Sequence, residues 1–308
     1  MDIIYYNAVD PRDQGEQFKK LMPDARIRLW HEGDTAPADY ALVWKPPVQM
    51  LAGRHDLKAI FNLGAGVDAI LKIADQIPAQ VPIIRLEDAG MGEEMADYVS
   101  HASLRYFRHF DQYQRLADQA MWQPKRPAHK VDFPIAVLGL GVLGQVIVQR
   151  LRQLNFPILG WSRSEKSLEG VSCFFGPQGL RDCLAKAKVA VCILPLTEAT
   201  TGILNRSTLS LLPQGAYLIN VGRGAQVVEE DLLALLQSGH LAGATLDVFQ
   251  TEPLPRDHSF WQQPNVTITP HISAQTIPEQ ADAQVAEKLR RLEQGLPVTG
   301  VINRQSGY

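Results

Sequence analysis

Cysteine is scarce in this chain, and what there is shows no pairing pattern. Cys173, Cys183 and Cys192 are the only three in 308 residues. None forms a Cys-x-x-Cys pair, which argues against a zinc ribbon or a dithiol redox site. An odd, low count suits a reducing compartment. Long apolar runs are also missing. The longest, Val189 to Leu196, falls far short of the ~20 residues a membrane-spanning helix needs. The start, Met1-Asp2-Ile3-Ile4-Tyr5-Tyr6, lacks the basic n-region and apolar h-region of a signal peptide. A cytoplasmic protein without a membrane partner is expected. Neither sign of charge is in excess: 30 Lys plus Arg against 33 Asp plus Glu leave a formal net charge of −3. That argues against a chain that coats nucleic acid, whose phosphates call for a basic surface. No Gly-x-Ser-x-Gly elbow marks a hydrolase. No His-Glu-x-x-His occurs among the eight histidines, so a zinc peptidase is not expected, nor any metal site.

What is present is alternation. Asp2–Tyr6, Tyr40–Trp44 and Lys58–Leu63 read as buried strands, separated by helical or turn segments such as Gln14–Leu21. The spacing suggests a small α/β unit with parallel strands. From Glu93 to about Met121, Ala96, Val99, Ala102, Leu104 and Phe107 recur near a helical period, which predicts one long helix. From Phe133 strands and helices alternate: Pro134–Leu138, Gly144–Leu154, Ile158–Trp161, Val189–Leu194, Ala216–Val221, Glu229–Ser238, Gly243–Val248 and Val266–Thr269. Such β-α alternation predicts a doubly wound parallel sheet. A last helix, Pro278 to Glu293, precedes a less regular tail, Pro297–Tyr308.

The strongest local signal is Gly139-Leu140-Gly141-Val142-Leu143-Gly144, which follows the apolar strand Ile135–Leu138 and opens a helix. Strand before and helix after are the context of a dinucleotide fingerprint. Gly139 permits the tight turn, Gly141 lets a pyrophosphate approach the backbone, and Gly144 lets helix and strand pack closely. Unpaired N–H groups at the helix N-terminus favour phosphate.

The next strand runs into Trp161-Ser162-Arg163-Ser164. An NAD site usually places Asp or Glu about 20 residues past the glycines to accept from the ribose hydroxyls. Ser162, 18 residues after Gly144, carries no charge, and Arg163 is cationic with Lys166 close behind. A carboxylate would repel a 2′-phosphate, whereas an Arg fork and two hydroxyls would hold it. NADPH/NADP is therefore favoured over NADH. The competing reading leaves Arg163 as a solvated cation and gives the ribose to Glu165.

A third constellation lies further on. Asn220-Val221-Gly222-Arg223-Gly224, Leu246-Asp247-Val248-Phe249 with Glu252 after it, and Thr269-Pro270-His271-Ile272-Ser273 each follow a strand. Arg223, Glu252 and His271 thus sit past strand carboxyl ends, the edge where open α/β sheets bind ligands. Taken singly, each also reads as a surface cation, a turn cap and a packed histidine. Beside a cofactor fingerprint they make a carboxylate anchor, a carboxylate partner and a proton donor.

With these residues in order, the chain resembles the NAD(P)-dependent D-2-hydroxyacid dehydrogenase family. The likeness runs through Leu63-Gly64-Ala65-Gly66-Val67-Asp68, the fingerprint, Leu194-Pro195-Leu196-Thr197, Arg223, Asp247, Glu252 and His271. Val43-Trp44-Lys45-Pro46-Pro47, Arg85-Leu86-Glu87-Asp88 and Gly90-Met91-Gly92-Glu93 look most similar to the bacterial glyoxylate/hydroxypyruvate reductase A branch. The resemblance implies hydride transfer to a small 2-oxo acid, taking glyoxylate to glycolate and hydroxypyruvate to D-glycerate. His271 would protonate the developing alkoxide, Glu252 would orient His271 and keep a proton available, and Arg223 would bind the 2-oxo acid. Backbone N–H groups of Ala65 and Gly66 would hold the substrate carboxylate, and Trp44 would restrict the pocket, unless it is simply a core residue. Pro195, Val221 and Asp247 would line the nicotinamide half of the cofactor site. Gly222 and Ser273 join that cofactor set with Gly139, Gly141, Val142, Leu143, Gly144, Ser162, Arg163 and Ser164.

The implied fold is α/β with two Rossmann-like domains, the cofactor domain inserted into the substrate domain. Residues 1–93 and 278–308 would form the substrate domain and residues 94–277 the NAD(P)-binding domain, with hinge crossings near Gly92 and Ile277. The helix from Glu93 is the family's usual homodimer contact. Gly222 departs from the family, which more often has Ala or Ser there. Two other readings stay open: a family member with another 2-oxo acid, and a nucleotide-sensing binding protein on the same fold. A methyltransferase would have no use for the ordered Arg223, Glu252 and His271.

Overall fold

The computed structural model describes residues 1–8, 15–305 and 307. Gln14 and Tyr308, where two of the segments above begin or end, lie outside them. The described residues divide into two compact units, Met1–Gly90 with Thr276–Tyr308, and Met91–Gln275. Met91–Glu93, placed in the first domain by the sequence reading, are the opening turn of a helix that belongs to the second unit.

The first unit carries β1 (Asp2–Asn7), α1 (Glu16–Leu21), β2 (Arg26–Leu29), β3 (Tyr40–Trp44), α2 (Val48–Leu51), β4 (Ala59–Asn62), α3 (Asp68–Leu71) and β5 (Ile83–Arg85). Its five strands are parallel in the order β2-β1-β3-β4-β5, with the reversal between β1 and β3. Both faces of the central strands are covered, so they read as near-continuous apolar runs. Tyr40, Ala41, Leu42 and Val43 are all buried. The edge strands β2 and β5 are short and carry arginines, and the sequence reading passes over them for that reason.

The second unit carries α4 (Met91–Phe107), α5 (Phe110–Asp118), β6 (Ile135–Leu138), α6 (Val142–Gln153), β7 (Ile158–Ser162), β8 (Ser172–Phe175), α7 (Gly176–Leu184), β9 (Val189–Cys192), α8 (Arg206–Leu209), β10 (Ala216–Asn220), α9 (Glu229–Gln237), β11 (Leu241–Leu246) and β12 (Val266–Ile268). A final helix, α10 (Pro278–Glu293), returns to the first unit. The second sheet is seven parallel strands in the order β12-β11-β10-β9-β6-β7-β8. Connections reverse direction at β6 and β9, a topological switch point. The period-2 alternation of strands sorts their side chains onto two cores. Ala136, Leu138, Ala190, Cys192 and Leu218 join one, while Ile135, Val137, Val189, Val191 and Ile219 join the other under α4 and α6. Each fully buried aliphatic contributes roughly 1.5–3 kcal/mol, so these layers hold the strand ends, and hence the loops, in fixed positions.

The single long helix expected from Glu93 to Met121 is two helices. His109 adopts a left-handed backbone, φ 59°, and starts α5 afresh. The apolar stripe also stops there: α4 buries Met95, Ala96, Val99, Ala102 and Phe107, whereas α5 buries nothing. The edge strand β8 and the helix α7 behind it also escape the sequence reading, because β8 is half-exposed and mixed in polarity.

Candidate active site

The β6–α6 connection has the geometry that its glycines suggest. Gly139 has φ 112°, and a Cβ there would lie 2.9 Å from the Ile193 carbonyl oxygen. A Cβ on Gly144 would collide with the Gly139 carbonyl, while Gly141 faces open space. Val142 and Leu143 form the first turn of α6, where backbone N–H groups have no intrahelical acceptor. Lys166 does not stand off from this loop: its Nζ donates to the Leu140 carbonyl at 2.7 Å, and Gln145 Nε2 donates to the same oxygen at 3.1 Å. Lysine and glutamine thus brace the glycine turn. The open backbone at Gly141 and the absence of a Cβ at Gly139 and Gly144 fit a pyrophosphate.

Ser162 ends β7, buried, with its hydroxyl donating to the Ser164 carbonyl at 2.8 Å. That bond curls the loop and leaves Arg163, Ser164 and Glu165 on the exposed surface. The cation follows the strand directly, and the carboxylate comes two residues later.

The remaining candidates of the second unit gather along the carboxyl edge of the same sheet, because parallel strands deliver their following loops to one side. Pro195 follows β9 and is exposed; Val221 and Gly222 follow β10 and are buried; Arg223 is half-buried. Asn220 shapes this turn, accepting from the Gly222 N–H at 3.2 Å and donating to the Arg223 carbonyl at 3.1 Å. Arg223 Nη1 donates to the Gly222 carbonyl at 2.7 Å. A Cβ on Gly224 would run into the Phe249 backbone, so glycine there lets the arginine turn approach the loop that carries Glu252.

Asp247 follows β11 and is 0% exposed. A buried carboxylate is costly unless its oxygens are satisfied. Oδ1 accepts from the Thr269 hydroxyl at 2.5 Å and the Ile272 N–H at 2.9 Å, and Oδ2 accepts from the Ser273 N–H at 2.8 Å. Its main-chain carbonyl accepts the His271 N–H at 2.9 Å. Asp247 therefore builds the turn in which His271 sits at φ 56°, a conformation few residues adopt without outside support. Tyr98 of α4 lies 2.5 Å from Thr269 Oγ1. The threonine hydrogen is committed to Asp247, so the tyrosine is the donor. Burial pushes the Tyr98 phenol up to about 12, which keeps that hydrogen in place.

His271 Nδ1 is 2.8 Å from Glu252 Oε2. An ionised carboxylate only accepts, so Nδ1 carries hydrogen and Nε2 is left to exchange a proton with a ligand. Glu252 is held in turn, its Oε1 accepting from the Phe249 N–H at 3.0 Å. Both side chains are partly open to solvent. The edge therefore offers an oriented imidazole, a carboxylate behind it, an arginine and a phosphate cradle.

In the first unit, Trp44 ends β3 and is half-buried. Its ring lies where a Cβ on Gly64 would be. Asn62 donates to the Gly64 and Gly66 carbonyls at 2.8 and 2.9 Å. The loop holding Ala65 and Gly66 is thereby pinned beside the indole. Sequence reasoning gave no role to Tyr98, Asn62, Asn220 or Gln226. Asn62 and Asn220 carry a signal, a polar residue closing an apolar strand, whereas Tyr98 and Gln226 carry none.

Residues 101–273 match the family model described as D-isomer specific 2-hydroxyacid dehydrogenase, NAD binding domain. Solved structures agree over the whole chain. A D-isomer specific 2-hydroxyacid dehydrogenase from Xanthobacter autotrophicus Py2, in complex with NADPH and MES, is 40% identical with a TM-score of 0.94, covering 100% of this chain and 99% of that one. An NADPH-dependent glyoxylate/hydroxypyruvate reductase from Sinorhizobium meliloti, in complex with NADP and sulfate, is 33% identical with a TM-score of 0.92 and the same coverage. A probable 2-hydroxyacid dehydrogenase from Rhizobium etli CFN 42, with NADP, HEPES and tartaric acid, is 32% identical with a TM-score of 0.93, again covering 100% and 99%. The chain belongs to the D-isomer specific 2-hydroxyacid dehydrogenase family. It is an oxidoreductase with an NAD(P)-binding domain. No helix among the described residues is long and apolar enough to cross a membrane.

Proposed function

We propose that this protein is an NADPH-preferring reductase of small 2-oxo acids, taking glyoxylate to glycolate and hydroxypyruvate to D-glycerate. The observation that carries the reading is the His271–Glu252 pair at 2.8 Å, on the same sheet edge as Arg223 and the glycine loop. The Sinorhizobium meliloti reductase, with its NADP, supports the choice of substrates and cofactor.

Gly139, Gly141, Val142, Leu143 and Gly144 hold the pyrophosphate, and Arg163 and Ser164 take the 2′-phosphate; Ser162, whose hydroxyl hydrogen is spent on the Ser164 carbonyl, shapes the turn that presents them. Pro195, Val221, Gly222, Asp247 and Ser273 border the nicotinamide. When bound, the reduced nicotinamide supplies the hydride for the keto carbon. Arg223 binds the 2-oxo acid by charge-assisted hydrogen bonds and polarises its carbonyl. Ala65 and Gly66 offer backbone N–H groups to the carboxylate, and the Trp44 ring limits substrate size. His271 Nε2 delivers a proton to the oxygen that gains negative charge, while Glu252 holds Nδ1–H and stabilises the imidazolium. Residues 1–90 with 276–308 serve as the substrate domain and residues 91–275 as the cofactor domain. The three free cysteines suit a cytoplasmic enzyme.

His271→Asn tests the assignment, because asparagine tolerates the left-handed backbone. We expect kcat to fall about 10²- to 10⁴-fold, with the melting temperature and NADPH affinity near wild type. Turnover within about threefold of wild type, against the loss that proton transfer implies, would remove His271 from its role.

A further inference from the structure

We infer that Gln226 is a positioning residue that sets the spacing between the Arg223 turn and the Pro195 loop, and that glycine at 222 is what admits it. The inference rests on the reading of Arg223 as the substrate anchor and Pro195 as a nicotinamide neighbour.

Gln226 is fully buried, and an amide there is costly unless every polar atom is matched. All four of its hydrogen-bonding positions are taken. Oε1 accepts from the Arg223 N–H at 2.9 Å and from the Cys192 thiol at 3.2 Å. Nε2 donates to the Leu194 carbonyl at 2.7 Å and the Pro195 carbonyl at 3.2 Å. Full burial pushes the Cys192 thiol up to about 12, so it stays protonated and donates. One side chain thus ties the loop after β9 to the turn after β10. It touches neither reacting group, and it fixes both through their main chains.

The space for this amide exists because residue 222 has no side chain. A Cβ on Gly222 would overlap Gln226 Oε1 and lie 3.0 Å from the Leu194 carbonyl oxygen. Glycine here is therefore one half of a pair with Gln226. It does not loosen the turn, since Asn220 and Gln226 hold the backbone on either side of it.

The test uses the whole protein and a two-by-two set: wild type, Gly222→Ala, Gln226→Ala and the double variant. Gly222→Ala should cost about tenfold in kcat/KM for glyoxylate, because it displaces an amide with four bonds. In the Gln226→Ala background the same change should cost only about twofold, since the Gln226 overlap is gone and only the 3.0 Å approach to the Leu194 carbonyl oxygen remains. An equal penalty in both backgrounds would overturn the pairing. Gln226→Ala itself should raise KM for glyoxylate about tenfold, as a misplaced anchor does, and weaken NADPH by about threefold, since the Pro195 loop is released as well. A lower melting temperature with unchanged KM would reduce Gln226 to a structural residue and overturn the proposal. Hydrogen exchange gives a reading that needs no turnover. Gln226→Ala should speed exchange in segments 192–196 and 220–226 alone; unchanged or uniformly faster exchange would contradict the proposal. A wild type that reduces no 2-oxo acid would instead refute the reductase reading, and the exchange pattern would still decide the role of Gln226.

Discussion

Arg163 is the residue to which we assign the choice of cofactor. It follows the last residue of β7, where a ribose-binding carboxylate would otherwise stand. Guanidinium pairs with a phosphate dianion strongly and with a neutral hydroxyl weakly. Arg163→Ala should therefore weaken NADPH about tenfold or more, by the loss of one charge-assisted contact, and NADH by less than about twofold; titration by nicotinamide fluorescence measures both. Equal losses would return the ribose to Glu165. Arg163, Glu252 and His271 were legible in the sequence because charged residues past strand ends stand out against apolar runs. Tyr98 and Gln226 were not, since their meaning lies in partners far away in the chain. Tyr98 acts on Thr269, and Gln226 joins Cys192, Leu194 and Pro195 to Arg223.

At the scale of elements, the central strands and the β6–α6 turn were readable because fully covered parallel strands are apolar on both faces. The short edges β2, β5 and β8 were not, and the helix after Glu93 was read through a break that only the backbone of His109 reveals. Entry into β3 gives a prediction of its own. Asp56 accepts two bonds from the Arg54 guanidinium at 2.8 and 2.7 Å and one from the Ala38 N–H at 2.9 Å, tying the chain just before β3 to the segment after α2. The Arg54 hydrogen bonds hold the Asp56 carboxyl down to about 2 against an ordinary 3.8. A depressed folded-state value means that the ionised form is the stabilising one. Its contribution is complete above the ordinary value and is lost as pH falls toward 2. Asp56→Asn should lower the melting temperature at neutral pH, by about 2–4 °C for each kcal/mol lost. It should also flatten the decline in melting temperature between pH 4 and pH 2. A decline as steep as wild type would deny Asp56 that part in acid unfolding.

At the scale of the molecule, the order of glycine fingerprint, arginine, glutamate and histidine led from sequence to family, and the matches to solved structures bear that out. Assembly is a proposal. The apolar face of α4 is already spent on α6 and the sheet beneath it. Beyond it, α5 and its following loop leave Phe110 53% and Trp122 100% exposed. The family resemblance implies a homodimer through the region beginning at Glu93, and we propose that Phe110 and Trp122, whose apolar area a second copy would bury, lie in that contact. Sedimentation should give twice the chain mass, and Trp122→Ser with Phe110→Ser should shift it toward one. A wild-type monomer at micromolar concentration would refute this.

Reduction of the 2-oxo acid is followed through the absorbance of the reduced nicotinamide, with glyoxylate or hydroxypyruvate and with NADPH or NADH in parallel. Absorbance should fall rapidly with NADPH, and kcat/KM should be about tenfold or more lower with NADH, the discrimination expected of one charge-assisted phosphate contact. No loss with either cofactor, from folded protein that still binds the nucleotide, would contradict the reductase reading.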